Sequence, residues 1–539
     1  MWATFRLPSS LILVLLLLPS AAFLWRNSDI PHFGDAHDDA VYFVSAKSLA
    51  SGEGYRIESL PGDPAQTKYP PLYPLLLSLA WRINPHFPEN LPIAAWLSWL
   101  ALPACLLLLS VYYPRLGITG GRVPILLALL AINPYVIWIA SHLHSELFFL
   151  ALALGSMLLV ERAADDNAGP SVALAAGALA GLAYLARSAG IVMLASAPVY
   201  LVLRHARRQA GRHGRRQAWL FAAAMLPFAV GWMIWAHLHQ LKTSDPALLY
   251  YTSYTAYQLQ NVSLSNFHLV VWKNMDELLW GLGSLILPKV TDTLFEKIVS
   301  QVLAVAMVAG VVRMVRRGQG VQYALFAAGS AFLLLIWHFP PNERFVLPVF
   351  PLALAGLLGE VERLGGQLRI AAAHQDAVRR IAAAILAVPG VLILGGGLAL
   401  QVSLDAVALP EASRQHREAL SGDRAAYSWM RANLPAGSVV LAGEDPSLFL
   451  FTGYHALSLP IPPVLWYTED HAGAVELIRD LVPYARQHGI SHVYFARSYV
   501  RQTIPEQDRI AMEDSIRSNP DLIRIFSQGE ATVYRIRPE

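Results

Sequence analysis

Gly34-Asp35-Ala36-His37-Asp38-Asp39-Ala40-Val41-Tyr42 opens, and Lys68-Tyr69-Pro70-Pro71-Leu72-Tyr73-Pro74 closes, a polar loop that directly follows the first hydrophobic segment. Seven carboxylates lie from Asp29 to Asp63, in a chain most of which is built to sit in lipid. Asp35 is the expected N-cap of a short helix, the run Asp38 to Ala50 contains neither Gly nor Pro, and Gly52 is placed to end it. At about 100° per residue Asp38 and Tyr42 share one helix face, while Asp39 points to the neighbouring face beside Asp35. One acid can then face a reaction centre while the other faces supporting groups or a metal. Acids near a helix N-terminus also stabilise its dipole without any chemical duty, so spacing alone leaves both roles open.

The 539 residues are 55% hydrophobic and only 15% charged, the composition of an integral membrane protein. A formal net charge of +3 over this length makes no electrostatic case for a nucleic-acid partner. The single cysteine, Cys105, lies in an apolar run, which sets aside disulfides, thiolate metal sites and thiol catalysis. The first apolar run, Leu7 to Trp25, is long enough to span, and Arg26-Asn27-Ser28 is a poor cleavage site, so it reads as a retained span.

Read in order, the chain predicts about eleven transmembrane helices. Pro70 to Ile83, short and opened by two prolines, fits an interfacial helix. Later spans run near Leu91–Tyr113, Val123–Ala140, Glu146–Val160, Ser171–Ala186, a sixth to Leu203, Ala218–His237, Ile298–Val312, Val321–Phe339, Phe345–Leu358 and Ile381–Leu404. Arg115 and Arg122, the Arg204–Arg216 block, Arg313, Arg316 and Arg317, and Arg363 to Arg380 fall on one side of this alternation; Glu161 to Asp166 is the acidic exception. The positive-inside rule assigns that side to the cytoplasm and needs no nucleic-acid partner to explain the arginines. The acidic loop, the turns at Ser141–Glu146 and Pro340–Arg344, and the carboxyl terminus are then external. The Tyr-rich stretch Tyr250 to Tyr257 reads as a membrane-interface belt, and His142 as an interfacial histidine.

From Pro410 the composition becomes that of a soluble unit, residues 410–539. Helix patterns at Arg424–Leu434 and His471–His488 alternate with strand patterns at Ser438–Ala442, His492–Phe495, Leu522–Phe526 and Ala531–Ile536, which predicts a C-terminal soluble α/β domain. It contains no Gly-rich phosphate loop, nucleophile elbow or metal motif, so binding or capping is its expected task.

Asp38-Asp39-Ala40-Val41-Tyr42, continued by Ala46-Lys47 and Ser51-Gly52, resembles the Asp-Glu-x-x-Tyr motif that follows the first span in the GT-C superfamily. The match is narrower with the branch of protein O-mannosyltransferases and lipid A aminoarabinose transferases. Lys68-Tyr69-Pro70-Pro71-Leu72-Tyr73 resembles that branch's Lys-Pro-Pro-Leu-Tyr segment, and the turn at Glu146 and the Arg344 to Pro351 stretch resemble further features. Asp39 stands where Glu is usual, and Tyr69 interrupts the Lys-Pro-Pro run. The resemblance covers residues 1–405, with the external loop 26–90 as its catalytic loop. It implies a multispanning α-helical membrane protein of GT-C type that moves a sugar from a polyprenyl-phosphate-linked donor to a lipid, glycan or protein acceptor on the outer face of a bacterial inner membrane.

On that reading Asp38 is the general base and Asp39 supports it, while Tyr42, Lys68, Tyr69, Glu146, Arg187, Glu343 and Arg344 form the substrate-binding set. Lys68, Arg187 and Arg344 are the cations available to the departing lipid phosphate; each also has the plain role of an interfacial anchor. No cofactor is obligatory, and a divalent metal on Asp39, His144 and Glu146 is allowed. The rival reading, a transporter or flippase of lipid-linked glycans, predicts ionisable residues at mid-membrane and broken helices or paired repeats. Here the polar residues cluster at span ends on one side. A sensor merely anchored by so many spans leaves the loop motifs unexplained.

Overall fold

The computed structural model describes residues 9–206, 211–291, 293–373, 377–496 and 505–538. The amino-terminal edge of the first expected span, Arg207 and Arg208 of the arginine block, and the terminal Glu539 lie outside the described residues. Among the described residues, six helices are long and apolar enough to cross a membrane: Leu91–Arg115, Ser188–His205, Arg212–His239, Leu294–Arg316, Glu343–Ile370 and Gly390–Asn433. A bent pair, Arg122–Ala131 and Pro134–Ala140, brings the number to seven. Leu11–Arg26, Leu72–Ile83, Pro170–Ala186 and Val321–Leu335 are shorter apolar helices, and Glu146–Ala163 packs among them. The chain is a multi-pass membrane protein.

Local chemistry explains the bend. Pro134 lacks an N–H, and Asn133 caps the second half by accepting from the Tyr135 and Val136 amides. Its amide also donates to the Leu285 carbonyl at 2.6 Å, pinning the 61° break to a neighbouring helix end. Elsewhere helices approach backbone to backbone: a Cβ on Gly310 would lie 2.1 Å from the Gly356 carbonyl oxygen, so glycine is what permits that crossing.

The boundary expected at 410 is not a break in the chain path. Ala377–Ser403 passes through a wide π-turn, Leu404–Ala408, into the linking helix Leu409–Asn433. Pro410, which has no N–H to donate to the preceding turn, sits where the π-turn passes into that helix. Beyond it lie strands β1 (Val440–Ala442), β2 (Ala456–Leu457), β3 (His492–Phe495), β4 (Leu522–Gln528) and β5 (Ala531–Ile536), in the order β2-β1-β3-β5-β4. β1 is parallel to β2 and β3, while β5 is antiparallel to β3 and β4. The helix expected from His471 to His488 is two, His471–Arg479 and Leu481–Gln487. Pro483 cannot donate to the Arg479 carbonyl, so the first helix cannot run on. β2 is too short for an alternation pattern to reveal.

One core lies inside the helical bundle; a second is shared. Leu24, Ile57, Leu60, Tyr73 and Leu77 of the amino-terminal part form a continuous buried cluster with Leu441, Leu457, Leu481 and Val493 of the sheet region. Ala456 N–H donates to the Ser59 carbonyl at 2.9 Å. Burying one such leucine or isoleucine contributes about 1.5–3 kcal/mol, so exposing several is comparable with the about 5–15 kcal/mol that holds a typical domain folded. A chain ending at residue 409 is therefore expected to aggregate or to unfold at markedly lower temperature than the full chain. Fluorescence-detected size exclusion after a heating series checks this; an equally heat-resistant, monodisperse truncation would show that the shared core contributes little.

Candidate functional site

The helix that carries the two acids, Asp38–Ser51, ends as expected at Gly52, in the left-handed region at φ 83°. Its start differs from expectation. Asp35 does not cap it; the preceding residue is His37, at φ 61° and with no side-chain cap bond. Tertiary contacts hold this start instead. His37 Nε2 lies 2.9 Å from the Tyr251 hydroxyl and 3.1 Å from Asp445 Oδ1, and Tyr251 also donates to Asp445. At Gly34, φ is 100° and a Cβ would meet Ser447 Oγ at 2.2 Å, so the turn and its contact with the sheet region both require glycine. The Gly34 amide donates to Asp39 Oδ2 at 2.9 Å, the backbone donor that lets Asp39 sit near Asp35.

Asp38 points the other way, into a charge cluster. It accepts from the Tyr69 hydroxyl and pairs with Arg344 Nη2 at 2.9 Å. Arg344 Nε donates in turn to Glu146 Oε1, which also accepts from Arg187 Nη1 at 2.7 Å. Arg187 reaches Ser145 Oγ at 3.2 Å, and that hydroxyl lies 3.3 Å from the Tyr42 hydroxyl. Glu146 is fully buried, whereas the Asp38 carboxyl keeps 22% of its surface open. Lys68 Nζ stands 3.3 Å from the centre of the Tyr250 ring, with Tyr69 and Tyr254 at 4.9 and 5.4 Å. Such cation–π contacts are worth about 2 kcal/mol or more when desolvated. Lys68 is 3% exposed, which excludes the interfacial-anchor role for it.

The environments of the two acids push their protonation apart. Burial works to raise the Asp38 pKa, but Arg344, Lys68 and the Tyr69 hydroxyl outweigh it and hold the carboxyl well below the ordinary range. Burial raises Asp39 to about 7; the Gly34 and Ala40 amides oppose this, and the charges of Asp35 and Asp38 add to it.

Tyr42, Lys68, Tyr69, Glu146, Arg187 and Arg344 thus converge around Asp38, while Glu343 does not. Its Oε1 accepts from Ser284 at 2.8 Å and pairs with Lys289 at 2.8 Å, away from the Arg344 guanidinium. Asp39, His144 and Glu146 do not make a metal site in this geometry. Each keeps a buried atom without a hydrogen-bond partner, but the three are not among the described groups whose ligand atoms lie within 4.8 Å of one another. Arg187 and Arg344 already neutralise Glu146, and with burial they hold His144 well below its usual pKa, a field that disfavours a further cation. The interface-belt reading of Tyr250–Tyr257 is corrected: Tyr251 and Tyr257 are buried, and Tyr250, Tyr251 and Tyr254 surround Lys68. His142 is buried too, with Nδ1 2.6 Å from the Trp138 carbonyl. His37 and Asp445 escaped the sequence reading because they lie about four hundred positions apart.

No protein-family model and no curated protein matches this sequence. Among solved structures the chain is similar to ArnT from Cupriavidus metallidurans bound to undecaprenyl phosphate, with a TM-score of 0.53 and 13% identity over 99% of this chain and 100% of that one. The apo state of that protein gives 0.50 and 13% over 93% and 94%. The apo oligosaccharyltransferase from Archaeoglobus fulgidus gives 0.49 and 13% over 90% of this chain and 69% of that one. The likeness to ArnT shows that the chain shares the fold of that protein.

The raised Asp39 pKa has a measurable consequence. Its folded-state pKa lies near 7, above the ordinary 3.8, so the protonated form favours folding. That contribution is complete below about pH 4 and is lost as pH rises through about 7. Asp39→Asn, neutral throughout, is expected to gain thermal stability relative to the parent as pH rises from about 4 to about 8. Parallel melting-temperature curves for the two proteins would remove Asp39 as the titrating group.

Proposed function

We propose that this protein is a membrane glycosyltransferase that moves a sugar from a polyprenyl-phosphate donor to a hydroxyl acceptor, with Asp38 as general base. The observation that carries this reading is the cluster in which Arg344 bridges Asp38 and Glu146, with Arg187 and Lys68 beside it. Three cations face two carboxylates, an excess of positive charge suited to an anionic donor. Four residues beyond Arg187 begins an apolar groove of about 340 Å³, lined by Ile191, Val192, Val199, Leu325, Phe332 and Leu333, suited to part of an isoprenoid chain. ArnT, which shares the fold, has been captured with undecaprenyl phosphate, in keeping with this donor class.

The chemistry follows from the charges. The acceptor oxygen attacks the sugar's anomeric carbon, the carbon–oxygen bond to phosphate breaks, and the leaving phosphate keeps the electron pair. An aspartate clamped by Arg344 is a weak base. A phosphate that draws Arg344 and Lys68 toward itself lifts that clamp, so donor binding restores the basicity of Asp38 when the acceptor proton must be taken. Tyr69, which already donates to Asp38, orients the carboxylate. Asp39 supports the turn from behind, Tyr42 lines the sugar side, and Glu146 holds the two arginines. Glu343 is assigned to the substrate-binding region only through its position beside Arg344. The reaction so drawn requires no cofactor; Asp39, His144 and Glu146 would bind a divalent metal only after rearrangement.

The eleven-span arrangement with an external acidic loop belongs to this proposal, as do residues 1–405 as the transferase unit and 410–539 as an external α/β domain that influences acceptor choice. So does a bacterial inner membrane, with lipid, glycan or protein as acceptor. A reporter fused to the carboxyl terminus is expected to be active outside the cytoplasm; activity only inside would invert the orientation. For the chemistry, Asp38→Asn is expected to lower transfer from a polyprenyl-phosphate sugar by at least about a hundredfold while donor binding survives. Arg344→Gln should weaken donor binding by about 1–3 kcal/mol. Near-native turnover in Asp38→Asn would sink the base assignment, and unchanged turnover in both variants would sink the transferase reading.

A further inference from the structure

Behind the turn that precedes Asp38 lies a cluster that the transfer chemistry leaves unused. His32 and Asp35 come from the amino-terminal loop and His416 from the linking helix Leu409–Asn433. One donor atom from each lies within 4.8 Å of the others. Asp35 Oδ2 is 2.8 Å from His416 Nε2 and 3.7 Å from His32 Nδ1, and the two imidazole centres are 3.8 Å apart. The His32 ring is buried, and its Nε2 is 3.4 Å from Ser413 Oγ, one turn before His416 on the same helix.

The tautomers carry the argument. His416 Nδ1 lies 2.8 Å from the Ala412 carbonyl, an acceptor, so Nδ1 is the protonated nitrogen. His416 Nε2 faces the Asp35 carboxylate at 2.8 Å, so either a proton or a metal ion lies between the two. A backbone carbonyl on the far nitrogen is also how metal-ligating histidines are commonly held. His142, 5.3 Å from His32 between ring centres, repeats the pattern: its Nδ1 faces the Trp138 carbonyl, and its buried Nε2 has no hydrogen-bond partner among the described residues. Two imidazoles and one carboxylate suit zinc and its neighbours rather than magnesium or calcium, which prefer all-oxygen shells. A tetrahedral ion with bonds of about 2.0–2.1 Å holds its ligand atoms roughly 3.4 Å apart, between the 2.8 Å of the Asp35–His416 pair and the 3.7 Å of the Asp35–His32 pair, so seating it needs shifts on the scale of side-chain rotation.

We infer that His32, Asp35 and His416 form a zinc-class metal site, with His142 as the nearest further donor, that ties the acidic loop to the linking helix. Asp35 is two residues before His37 and three before Asp38, so the ion would fix the turn that sets the helix start. It would do so where the usual side-chain cap is missing. The site is separate from the arginine cluster, and its test does not depend on sugar transfer.

The full chain, purified through a tag without histidine, is expected to carry about one zinc per chain by elemental analysis. After chelation, Co2+ should restore one equivalent with the visible absorption of a tetrahedral ion. Asp35→Asn, which keeps the side chain's size, and His416→Ala should each lower Co2+ affinity by at least about tenfold and lose that absorption. Absence of stoichiometric zinc or Co2+ in the parent protein overturns the site. So does an unchanged Co2+ titration in both variants, which would leave a proton-bridged His416–Asp35 pair instead. If a variant fails to fold, the stoichiometry and spectrum of the parent protein decide.

Discussion

The interaction on which the site depends is the Arg344 guanidinium held between Asp38 and Glu146. It joins three parts of the chain that share no local sequence: the acidic loop helix, the first turn of Glu146–Ala163, and the head of the span Glu343–Ile370. In a partly buried setting none of these charges can be removed singly without leaving its partner uncompensated, an error that costs about 3–5 kcal/mol for a buried pair. Arg187 shares Glu146, so the two arginines are held close despite their mutual repulsion. An anion is the natural partner for that repulsion, and this is the physical ground of the proposed phosphate grip.

The second constraint is that the acidic loop is shaped from the carboxyl-terminal side. His37 reaches Asp445, Gly34 lies against Ser447, and the Ser59 carbonyl accepts from Ala456. The start of the Asp38–Ser51 helix is thus defined by residues four hundred positions away, not by a local cap. The sheet region supplies no group to the charge cluster among the described contacts, yet the direction in which Asp38 points depends on it. The acidic loop and the sheet region therefore fold together, joined by a shared buried core.

The bundle itself is assembled by small residues and by breaks. Gly310 against Gly356 lets two helices touch through their backbones. The 61° break at Asn133-Pro134 sets the path into the Ser141–Ser145 turn, which precedes Glu146 and presents Ser145 to Arg187. The continuous helix from Gly390 to Asn433 joins the apolar bundle to the sheet region without a loop, so His416 and Ser413 arrive beside the acidic loop on a rigid element.

Residue pattern alone determined that the chain is a multispanning helical membrane protein with an acidic loop after its first apolar segment and a mixed α/β region at its end. Long apolar runs, the arginine asymmetry and the β-branched and aromatic residues of His492–Phe495 and Ala531–Ile536 are local signals, legible because burial in lipid or in a sheet acts on each segment separately. The loop motifs also made Asp38, Tyr42, Lys68 and Tyr69 stand out, and the stretch from Arg344 to Pro351 did the same for Arg344. Tertiary structure decided the rest. Glu343 turned to Lys289 because a helix start rotates adjacent residues to different faces. The tyrosines from Tyr250 became the wall around Lys68 because cation–π contact depends on position in space. His37 met Asp445, and Asp35 met His416, through packing across hundreds of residues, for which neither periodicity nor spacing carries any signal.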